Sequence, residues 1–523
     1  MKKIFKFGKD QLNASIALAI AEGKIPLEVD EATRINIRKS SEYVAQFVAS
    51  GKAVYGINTG FGPLCTTMIT AKETETLQRN ILISHAVGVG KPIDKMLSKL
   101  MLILKVHALC FGYSGVQEKT IDRILWLIEN NQLPVVPSQG SVGASGDLAP
   151  LAHLFLPLIG EGFVWKDDEM ISSSDMLEHH QLKPITLSAK EGLALINGTQ
   201  FIAAHAVMAV VKMHDVFLSA DITGAFMIEA LKGSSAPFLD ALHQLRPFPA
   251  NVHVAERIRN LLHQSPIVAS HIHCAKVQDP YSLRCIPQVH GASWSAWQQL
   301  KEAVEIEINA VTDNPVIINN ELTISGGNFH GQPLALPIDY ACLAAAEIGN
   351  ISDRRIYLSL TGYDDEVPKL LMKETGINSG FMIVQYSSAA LASENKGLCF
   401  PSSADSIPTS LGQEDHVSMG SIGSRKLLQV IENTEKIIGL ELFCACQAID
   451  FHAPLRPGKI LDAIHVAIRE KISFLEKDVP LKPLIDEAIH FVQQGRLVQM
   501  ANEVSEKDNV PFETHFKEVY DNY

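Results

Sequence analysis

Apolar side chains recur along this chain three and four positions apart, which is the spacing of helices, rather than in the strict alternation of strands. In residues 427–445 this spacing is carried by Leu427, Val430, Ile431, Ile438 and Leu442. Residues 341–360 show the same pattern, with polar and apolar side chains on opposite faces. No alternating run of comparable length is found, so the sequence predicts a mainly α protein with long helices.

Shorter helices are predicted in the first half of the chain. One covers residues 31–49 and ends at Gly51, and another covers residues 77–85. Residues 148–159 are almost wholly apolar and follow Asp147, which stands in the position of an N-cap. We expect two regions: an N-terminal region over residues 1–200, and long central and C-terminal helices over residues 201–523. The polar tail beyond Lys507 is expected to be loosely held.

Composition and charge exclude several classes of function. The chain has 523 residues, 46% hydrophobic and 20% charged, which is ordinary for a globular protein. A net charge of −13 argues against a nucleic-acid partner, because phosphate binding needs clustered lysine and arginine. The start of the chain is too interrupted, by Asp10 and Asn13, for a signal peptide, and no run approaches the ~18 apolar residues that span a bilayer. We therefore expect a cytoplasmic protein without membrane contact.

The cysteines and histidines do not form a convincing metal motif. The eight cysteines are scattered and include no C-x-x-C pair, so reduced thiols are expected. Residues 271–274, which read H-I-H-C, lack a second, separated pair of ligands. The sequence therefore predicts no metal site.

The stretch from Gln139 to Asp147 is nearly bare backbone, since it contains three glycines, two serines and an alanine. Taken alone, this composition is typical of a tight loop that leads into a buried helix. The alternative concerns Ala144-Ser145-Gly146. The backbone nitrogen of this glycine could reach back to a carbonyl two residues earlier, because nothing larger than a methyl group obstructs it.

A second stretch, residues 277–285, places Tyr281 and Arg284 three positions apart, so that they face the same way on a helical turn. A nearby positive charge favours the phenolate form of a tyrosine, whose ordinary pKa is about 10, and this pairing suits proton abstraction. The guanidinium fork also suits a carboxylate. The alternative is an exposed tyrosine and arginine in a turn that Pro280 begins.

Residues 140–153, G-S-V-G-A-S-G-D-L-A-P-L-A-H, resemble the signature of the aromatic amino-acid ammonia-lyases. In that family the Ala-Ser-Gly triad cyclises and loses water to give an electrophilic methylidene-imidazolone group, MIO. The resemblance implies that Ala144, Ser145 and Gly146 are its precursor and that no diffusible cofactor is needed. It covers roughly residues 54–454 in six motifs, and it implies a long-helix bundle of the fumarase/aspartase-like type with a smaller mixed N-terminal region.

The resemblance also implies roles for individual residues. Tyr281 would be the general base that removes the β-proton, while Arg284 would hold the substrate carboxylate. Tyr55 would be a catalytic tyrosine carried on a mobile inner loop, V-Y-G-I-N-T-G-F-G-P. The remaining residues that the resemblance places around the substrate are Asn197, Gln278, Phe329 and Met382.

Two positions bear on the substrate. His85 stands at the family's selectivity position, where histidine matches members that act on histidine or tyrosine. Glu414, in Q-E-D-H-V-S-M, matches the version of the motif in members that act on L-histidine, whereas members for phenylalanine or tyrosine have an amide there. The implied reaction is deamination of L-histidine to urocanate and ammonia, with both side chains bound to the imidazole ring.

The resemblance further implies a homotetramer in which each active site draws on three chains. Two alternatives stay open: a tyrosine or phenylalanine ammonia-lyase or an aminomutase on the same scaffold, and a helical protein without activity. Three residues depart from the family pattern, so their effect on the pocket also stays open: His290, Trp294 and Trp297.

Overall fold

The structure is a computed structural model that describes residues 4–50, 54–60, 69, 71–272 and 276–523. Helices dominate it, so the predicted mainly α class is confirmed. The helices up to residue 261 are Ala14–Ala21 (α1), Glu31–Ser50 (α2), Ala71–His85 (α3), Lys95–Cys110 (α4), Glu118–Glu129 (α5), Leu148–Phe155 (α6), Ser173–His179 (α7), Glu191–Ile196 (α8), Gln200–Ala230 (α9), Asp240–Gln244 (α10) and Pro249–Leu261 (α11). Those that follow are Pro266–Ser270 (α12), Tyr281–Arg284 (α13), Ile286–Glu307 (α14), Gln332–Ser359 (α15), Met382–Leu398 (α16), Gly420–Ile449 (α17), Lys459–Arg469 (α18), Lys482–Gln493 (α19), Arg496–Asp508 (α20) and Lys517–Tyr520 (α21).

The strands are short, and those of the described residues form two-stranded pairs. The first pair is parallel and the other three are antiparallel. The pairs are Phe5–Lys6 (β1) with Leu27–Glu28 (β2), Val89–Pro92 (β3) with Pro137–Gln139 (β4), Phe163–Lys166 (β5) with Glu169–Ser172 (β6), and Val316–Ile317 (β7) with Thr323–Ile324 (β8).

The predicted helices are confirmed, with longer bounds. The segments 31–49, 77–85 and 427–445 fall in α2, α3 and α17, and the segment 341–360 falls in α15 except for its last residue, Leu360. The apolar run 148–159 is an α-helix only as far as Phe155 and continues as a 3₁₀ turn that Gly160 ends in a left-handed conformation. Gly51, which was predicted to end α2, lies outside the described residues.

The chain divides into two compact units, each built from separate segments. The first consists of Met1–Met208, Leu300–Asp339 and Pro401–Arg425, and it holds all the strand pairs of the described residues. The second consists of Ala209–Gln299, Tyr340–Phe400 and Lys426–Tyr523. The division at residue 200 stays a prediction.

The core of the first unit surrounds α4, whose side chains are buried from Leu97 to Cys110. The helix begins where Asp94 accepts a hydrogen bond from the Met96 N–H at 2.7 Å. Two basic side chains, Lys105 and His107, are buried with the apolar ones, and burial lowers the pKa of Lys105 to about 7. The Lys105 ammonium group donates a hydrogen bond to a buried backbone carbonyl, which an apolar side chain on this helix would leave unpaired.

The three residues that depart from the family pattern lie in the core of the second unit. Trp294 and Trp297 are fully buried, and the Trp297 indole N–H donates to the Val210 carbonyl at 2.8 Å. Nδ1 of His290 lies 2.7 Å from Oδ1 of Asp221, and both side chains are buried. These residues therefore serve packing within the second unit.

The expectation that the tail beyond Lys507 is loosely held is wrong. Phe512, Thr514 and Tyr520 are buried, and the Tyr520 ring packs against His253 with centroids 4.6 Å apart. Thr514 Oγ1 lies 2.7 Å from Nδ1 of His253. The overall polarity of the tail hid the few side chains that anchor it.

Two helices in the described part of the chain, α9 and α15, are long and apolar enough to cross a membrane by length and composition. This differs from the expectation that no such stretch exists, because mean hydropathy tolerates the polar residues that interrupt an apolar run. The share of the most apolar window that is buried is 78% in α9 and 67% in α15, which is typical of helices in a protein core.

Candidate active site

The loop that carries Ala144-Ser145-Gly146 is held against the backbone at residue 198. The Asp147 N–H donates to the Gly198 carbonyl at 2.7 Å. Gly146 has a φ of +75°, and a Cβ atom there would lie 2.0 Å from that same carbonyl oxygen. Gly143 has a φ of +68°, and a Cβ atom there would lie 2.2 Å from Ser418 Oγ. Only glycine fits these two positions, so the bare backbone predicted from the sequence has a steric cause.

Asp147 anchors this loop in a way that the sequence did not indicate. It was expected to cap α6, but its side chain makes no capping hydrogen bond to that helix. Its Oδ2 instead accepts from the N–H groups of Phe201 and Ile202 at the start of α9, both at 3.0 Å. Burial raises the pKa of this carboxyl to about 7, against the opposing effect of those donors.

The hydroxyl of Ser145 points at a carboxylate. Ser145 Oγ donates to Oε1 of Glu414 at 2.8 Å. The other oxygen, Oε2, accepts from Thr409 Oγ1 at 2.8 Å. The structure therefore brings the serine of the triad and the predicted recognition residue into direct contact, although 269 positions separate them in the chain.

A cavity of about 350 Å³ opens at this contact within the first unit. Six residues predicted from the sequence line it together: Tyr55, Ala144, Ser145, Asn197, Phe329 and Glu414. Tyr55 lies in the turn of residues 54–60, whereas residues 61–63 of its predicted loop lie outside the described residues.

Other polar residues that the sequence analysis did not single out also line the cavity. His330 and His416 have ring centroids 5.7 Å apart, and Asn314 and Ser325 lie on the same wall. Two of these could have been found, because His330 follows Phe329 directly and His416 belongs to the Q-E-D-H stretch. Asn314 and Ser325 belong to no motif considered.

Asn197 is held from behind by Lys105, whose ammonium group donates to its backbone carbonyl. The side-chain Oδ1 of Asn197 is buried and has no hydrogen-bond partner in the described structure. An unpaired buried amide oxygen is costly, and here the residue faces a cavity. Asn197 is therefore the lining residue whose side chain has an unused acceptor in the described structure.

His85 is the last residue of α3 and is half-buried. Burial lowers the pKa of its imidazole, while the negative charge of Glu414 acts in the opposite direction. Ser84 Oγ lies 3.1 Å from its Nδ1. The negative charge of Glu414 therefore acts on the imidazole of His85, the second predicted recognition residue.

Four predicted residues belong to the second unit: Gln278, Tyr281, Arg284 and Met382. Arg284 lies with its guanidinium carbon 4.6 Å from the Tyr281 ring centroid, so the two side chains do face the same way. Tyr281 is 71% exposed at the start of α13, and Met382 begins α16. None of the four lines the cavity described above, and their roles stay predictions.

One group of described residues could hold a metal ion, although the sequence predicts no metal site. Potential ligand atoms of Asp364, Glu366 and His452 lie within 4.8 Å of one another in the second unit. Lys276 Nζ lies 3.3 Å from Asp364, and Lys232 Nζ lies 2.5 Å from Glu366. These two lysines already supply positive charge to both carboxylates. His273 and Cys274, part of the H-I-H-C stretch, lie outside the described residues.

The triad loop, which only glycine can form, and its contact with Glu414 at the cavity agree with a carbon–nitrogen lyase of the ammonia-lyase class, the class that the relatives of this chain show. A sequence model of the family described as "Aromatic amino acid lyase" matches residues 12–470. The chain belongs to this aromatic amino acid lyase family.

Individual relatives agree with this assignment. The chain is 46% identical over 473 residues to a histidine ammonia-lyase of Sorangium cellulosum, covering 89% of this chain and 92% of that protein. It is 41% identical to a histidine ammonia-lyase of Myxococcus xanthus, over 93% and 96% of the two chains.

Solved structures show the same fold. The crystal structure of histidine ammonia-lyase from Trypanosoma cruzi matches with a TM-score of 0.89 and 36% identity, over 99% of this chain and 98% of that one. A tyrosine aminomutase from Streptomyces globisporus matches with a TM-score of 0.90 and 28% identity, over 96% and 99%. The predicted bundle of the ammonia-lyase type is confirmed, whereas the fold alone does not distinguish a lyase from an aminomutase.

Proposed function

We propose that the protein is a histidine ammonia-lyase, which converts L-histidine to urocanate and ammonia without oxidation. The observation that carries the proposal is the contact of Ser145 Oγ with Oε1 of Glu414 at 2.8 Å. It joins the triad that marks the family to a carboxylate suited to accept an imidazole N–H. The curated relatives at 41% to 46% identity that carry this name support the same substrate.

The electrophile in this proposal is MIO, formed from Ala144, Ser145 and Gly146. The residues present fit such a group. Gly143 and Gly146 carry no side chains of their own that could block cyclisation, and the hydrogen bond from the Asp147 N–H to the Gly198 carbonyl holds the backbone next to residue 146. When formed, MIO supplies an electrophile that activates the substrate amine or, alternatively, its imidazole ring, so no diffusible cofactor is required.

The other roles concern the residues of the chain itself. Tyr281 removes the β-proton of the substrate as a general base, and Arg284 holds its carboxylate with the guanidinium fork. Support comes from the exposure of Tyr281 and from the position of the Arg284 guanidinium over its ring, which places the two side chains together on one side of α13. Tyr55, Asn197, Gln278, Phe329 and Met382 complete the pocket around the substrate.

Recognition of the imidazole ring falls to His85 and Glu414. A pocket whose polar groups are paired only by the correct ring rejects an analogue without nitrogens, because those groups would then be buried unpaired. The lowered pKa of His85 keeps its imidazole neutral at neutral pH, so it can both donate and accept a hydrogen bond. L-histidine is thus the substrate that these two side chains fit best.

We also propose that the enzyme is a cytoplasmic homotetramer with active sites shared between chains. Support for assembly comes from the N-terminal half of α15, where three large side chains are exposed at spacings of four and three residues. They are Leu336, Tyr340 and Leu343. Exposed apolar stripes of this kind mark surfaces that pack against another chain. Light scattering that gives the mass of a single chain would contradict this part.

The first experiment is detection of product by near-ultraviolet absorbance, with L-histidine, L-tyrosine and L-phenylalanine offered separately. Urocanate from L-histidine alone is the expected result. Coumarate or cinnamate would keep the family mechanism but overturn the substrate. Isomerised amino acid without release of an unsaturated acid would favour an aminomutase, like the Streptomyces globisporus protein whose structure this chain resembles.

A further inference from the structure

We propose that Thr409 is a positioning residue that fixes the carboxylate of Glu414 for the imidazole ring. This inference deepens the proposed function and rests on it. Thr409 does not line the cavity among the described residues, so it acts through Glu414 rather than by touching the substrate.

The two residues are joined twice. Thr409 Oγ1 donates to Oε2 of Glu414 at 2.8 Å, and the Thr409 N–H donates to the Glu414 carbonyl at 2.9 Å. Backbone and side chain are therefore tied to the same residue, which limits both the position and the rotation of the carboxylate. A side chain held in this way loses little freedom when a ligand binds.

The segment between them is a tight turn with unusual backbone angles. Ser410, Leu411 and Gly412 have φ values of 50°, 57° and 87°, and the Gly412 N–H donates to the Thr409 carbonyl at 2.9 Å. Leu411 is 95% exposed, so burial of its side chain within the chain does not hold this turn. Left-handed angles at non-glycine residues persist only where the surroundings enforce them, and the paired ends of the turn do so here.

The two carboxylate oxygens of Glu414 have different hydrogen-bond partners once the proposed electrophile has formed. Oε1 accepts from the Ser145 hydroxyl, whose oxygen leaves as water together with the Ser145 Cα hydrogen when the electrophile forms. Oε1 is then open to an imidazole N–H. Oε2 stays bound to Thr409, and no ion pair to Glu414 is found among the described residues. The Thr409 hydroxyl is thus the contact that keeps Glu414 oriented in the mature enzyme.

The test compares Thr409→Val, which removes the hydroxyl at nearly constant volume, with Thr409→Ser, which restores it. Thr361→Val is the matched control, since the Thr361 hydroxyl, in the turn that follows α15, donates to the Leu358 carbonyl at 2.8 Å, and Thr361 does not line the cavity. Each protein is first checked for the near-ultraviolet absorbance of the electrophile and for its urea unfolding midpoint. Inhibition constants are then measured for urocanate and for cinnamate, which lacks ring nitrogens.

We expect Thr409→Val to weaken urocanate about tenfold, and to lower kcat/KM for L-histidine by a similar factor, because a hydrogen bond to a charged group is lost. Cinnamate should change less than about twofold, and Thr409→Ser and Thr361→Val should match the parent enzyme. If Thr409→Val does not fold, Thr409→Ala supplies a second variant without the hydroxyl. Equal weakening of both inhibitors would reduce Thr409 to a structural role, and unchanged urocanate binding would remove it altogether.

Failure of this inference is separable from failure of the proposed function. If the parent enzyme does not deaminate L-histidine, the proposed function itself is wrong. If the parent enzyme makes urocanate and Thr409→Val binds urocanate as tightly as the parent does, only the proposed role of Thr409 is wrong.

Discussion

Two carboxylates with similar partners occupy different parts of the molecule. In the first unit, Glu414 accepts from the hydroxyls of Ser145 and Thr409. In the second unit, Glu441 likewise accepts from one serine and one threonine, Ser352 and Thr223. The residue types around the two carboxylates would therefore not distinguish them.

What distinguishes them is the cation and the solvent. Both oxygens of Glu441 contact Arg355, whose Nη2 lies 2.9 Å from Oε2, and both side chains are fully buried. Glu414 is half-buried at a cavity and has no ion pair in the described part of the chain. A carboxylate saturated by an arginine and two hydroxyls has no capacity left for a ligand, whereas one held by hydroxyls alone does. The first arrangement stabilises a core, and the second can bind a substrate.

The largest expected effect lies at the Ser145 hydroxyl. Ser145→Ala should lower turnover of L-histidine by about 10⁵-fold, because the electrophile cannot form. Removing one member of a catalytic group that acts as a unit abolishes nearly all of its contribution to the rate. The urea unfolding midpoint should be unchanged, since the alanine fits a loop that its glycines define. The near-ultraviolet absorbance of the electrophile should vanish as well. Substantial remaining activity would contradict the assignment of the triad.

The next effect concerns the saturated carboxylate. Arg355→Met should lower the free energy of unfolding by about 3–5 kcal/mol, because Glu441 would be left charged and unpaired in the core. Lys436→Met is the control, since Lys436 and Glu432 form an exposed pair one helical turn apart, for which a loss below about 0.5 kcal/mol is expected. Urea titrations of both variants measure the difference. Equal effects at the two sites would show that burial of the pair at Glu441 is not what matters.

How much of the difference between Glu414 and Glu441 can be predicted from the sequence depends on whether it follows from local patterns or from contacts between distant segments. Helical periodicity is a local property, and it correctly places α15 and α17, which carry Arg355 and Glu441. The pairing of these two residues across the core is not a local property, and no sequence motif indicates it. The same limit applies to Trp294, whose role is evident only once the C-terminal Tyr520 is found beside it.

The candidate site shows the same division. The triad and Glu414 were found because their motifs are long and specific, and the fold brings them together. The function of Asp147 was misassigned, because an N-cap of α6 and an anchor at the start of α9 leave the same sequence pattern before an apolar run. The positioning role that we propose for Thr409 could not be predicted from the sequence. The proposal depends on a turn whose left-handed residues include Leu411, a residue type that rarely adopts such angles.

The open carboxylate gives the third prediction. Glu414→Gln should lower kcat/KM for L-histidine by about 10²-fold, because the amide presents a neutral group, and a donor as well as an acceptor, to the imidazole ring. Stability should change little, since Glu414 has no buried cation to leave unpaired in the described structure. Glu503→Gln, on the exposed face of α20, is the control for loss of a surface carboxylate. An unchanged rate would remove Glu414 from substrate recognition.

A third carboxylate, Asp521, lies between the two extremes and gives the smallest expected effect. Burial opposes its ionisation, but His214 and Arg257, each 3.4 Å away, outweigh this and lower its pKa from 3.8 to about 2. Because the folded pKa lies below the unfolded value, the stabilisation is fully present well above pH 4 and is lost as the pH falls toward 2. Asp521→Asn should therefore cost about 2 kcal/mol at pH 7.

That cost should shrink steadily between about pH 5 and pH 2, as the parent protein loses the same charge. Urea unfolding of parent and variant at several pH values measures it. A cost independent of pH would mean that Asp521 contributes by packing beside His214 rather than by its charge. In that case packing against the apolar core around Trp294 would hold the C-terminus in place, and Asp521 would not be comparable with the charged groups of Glu441 and Glu414.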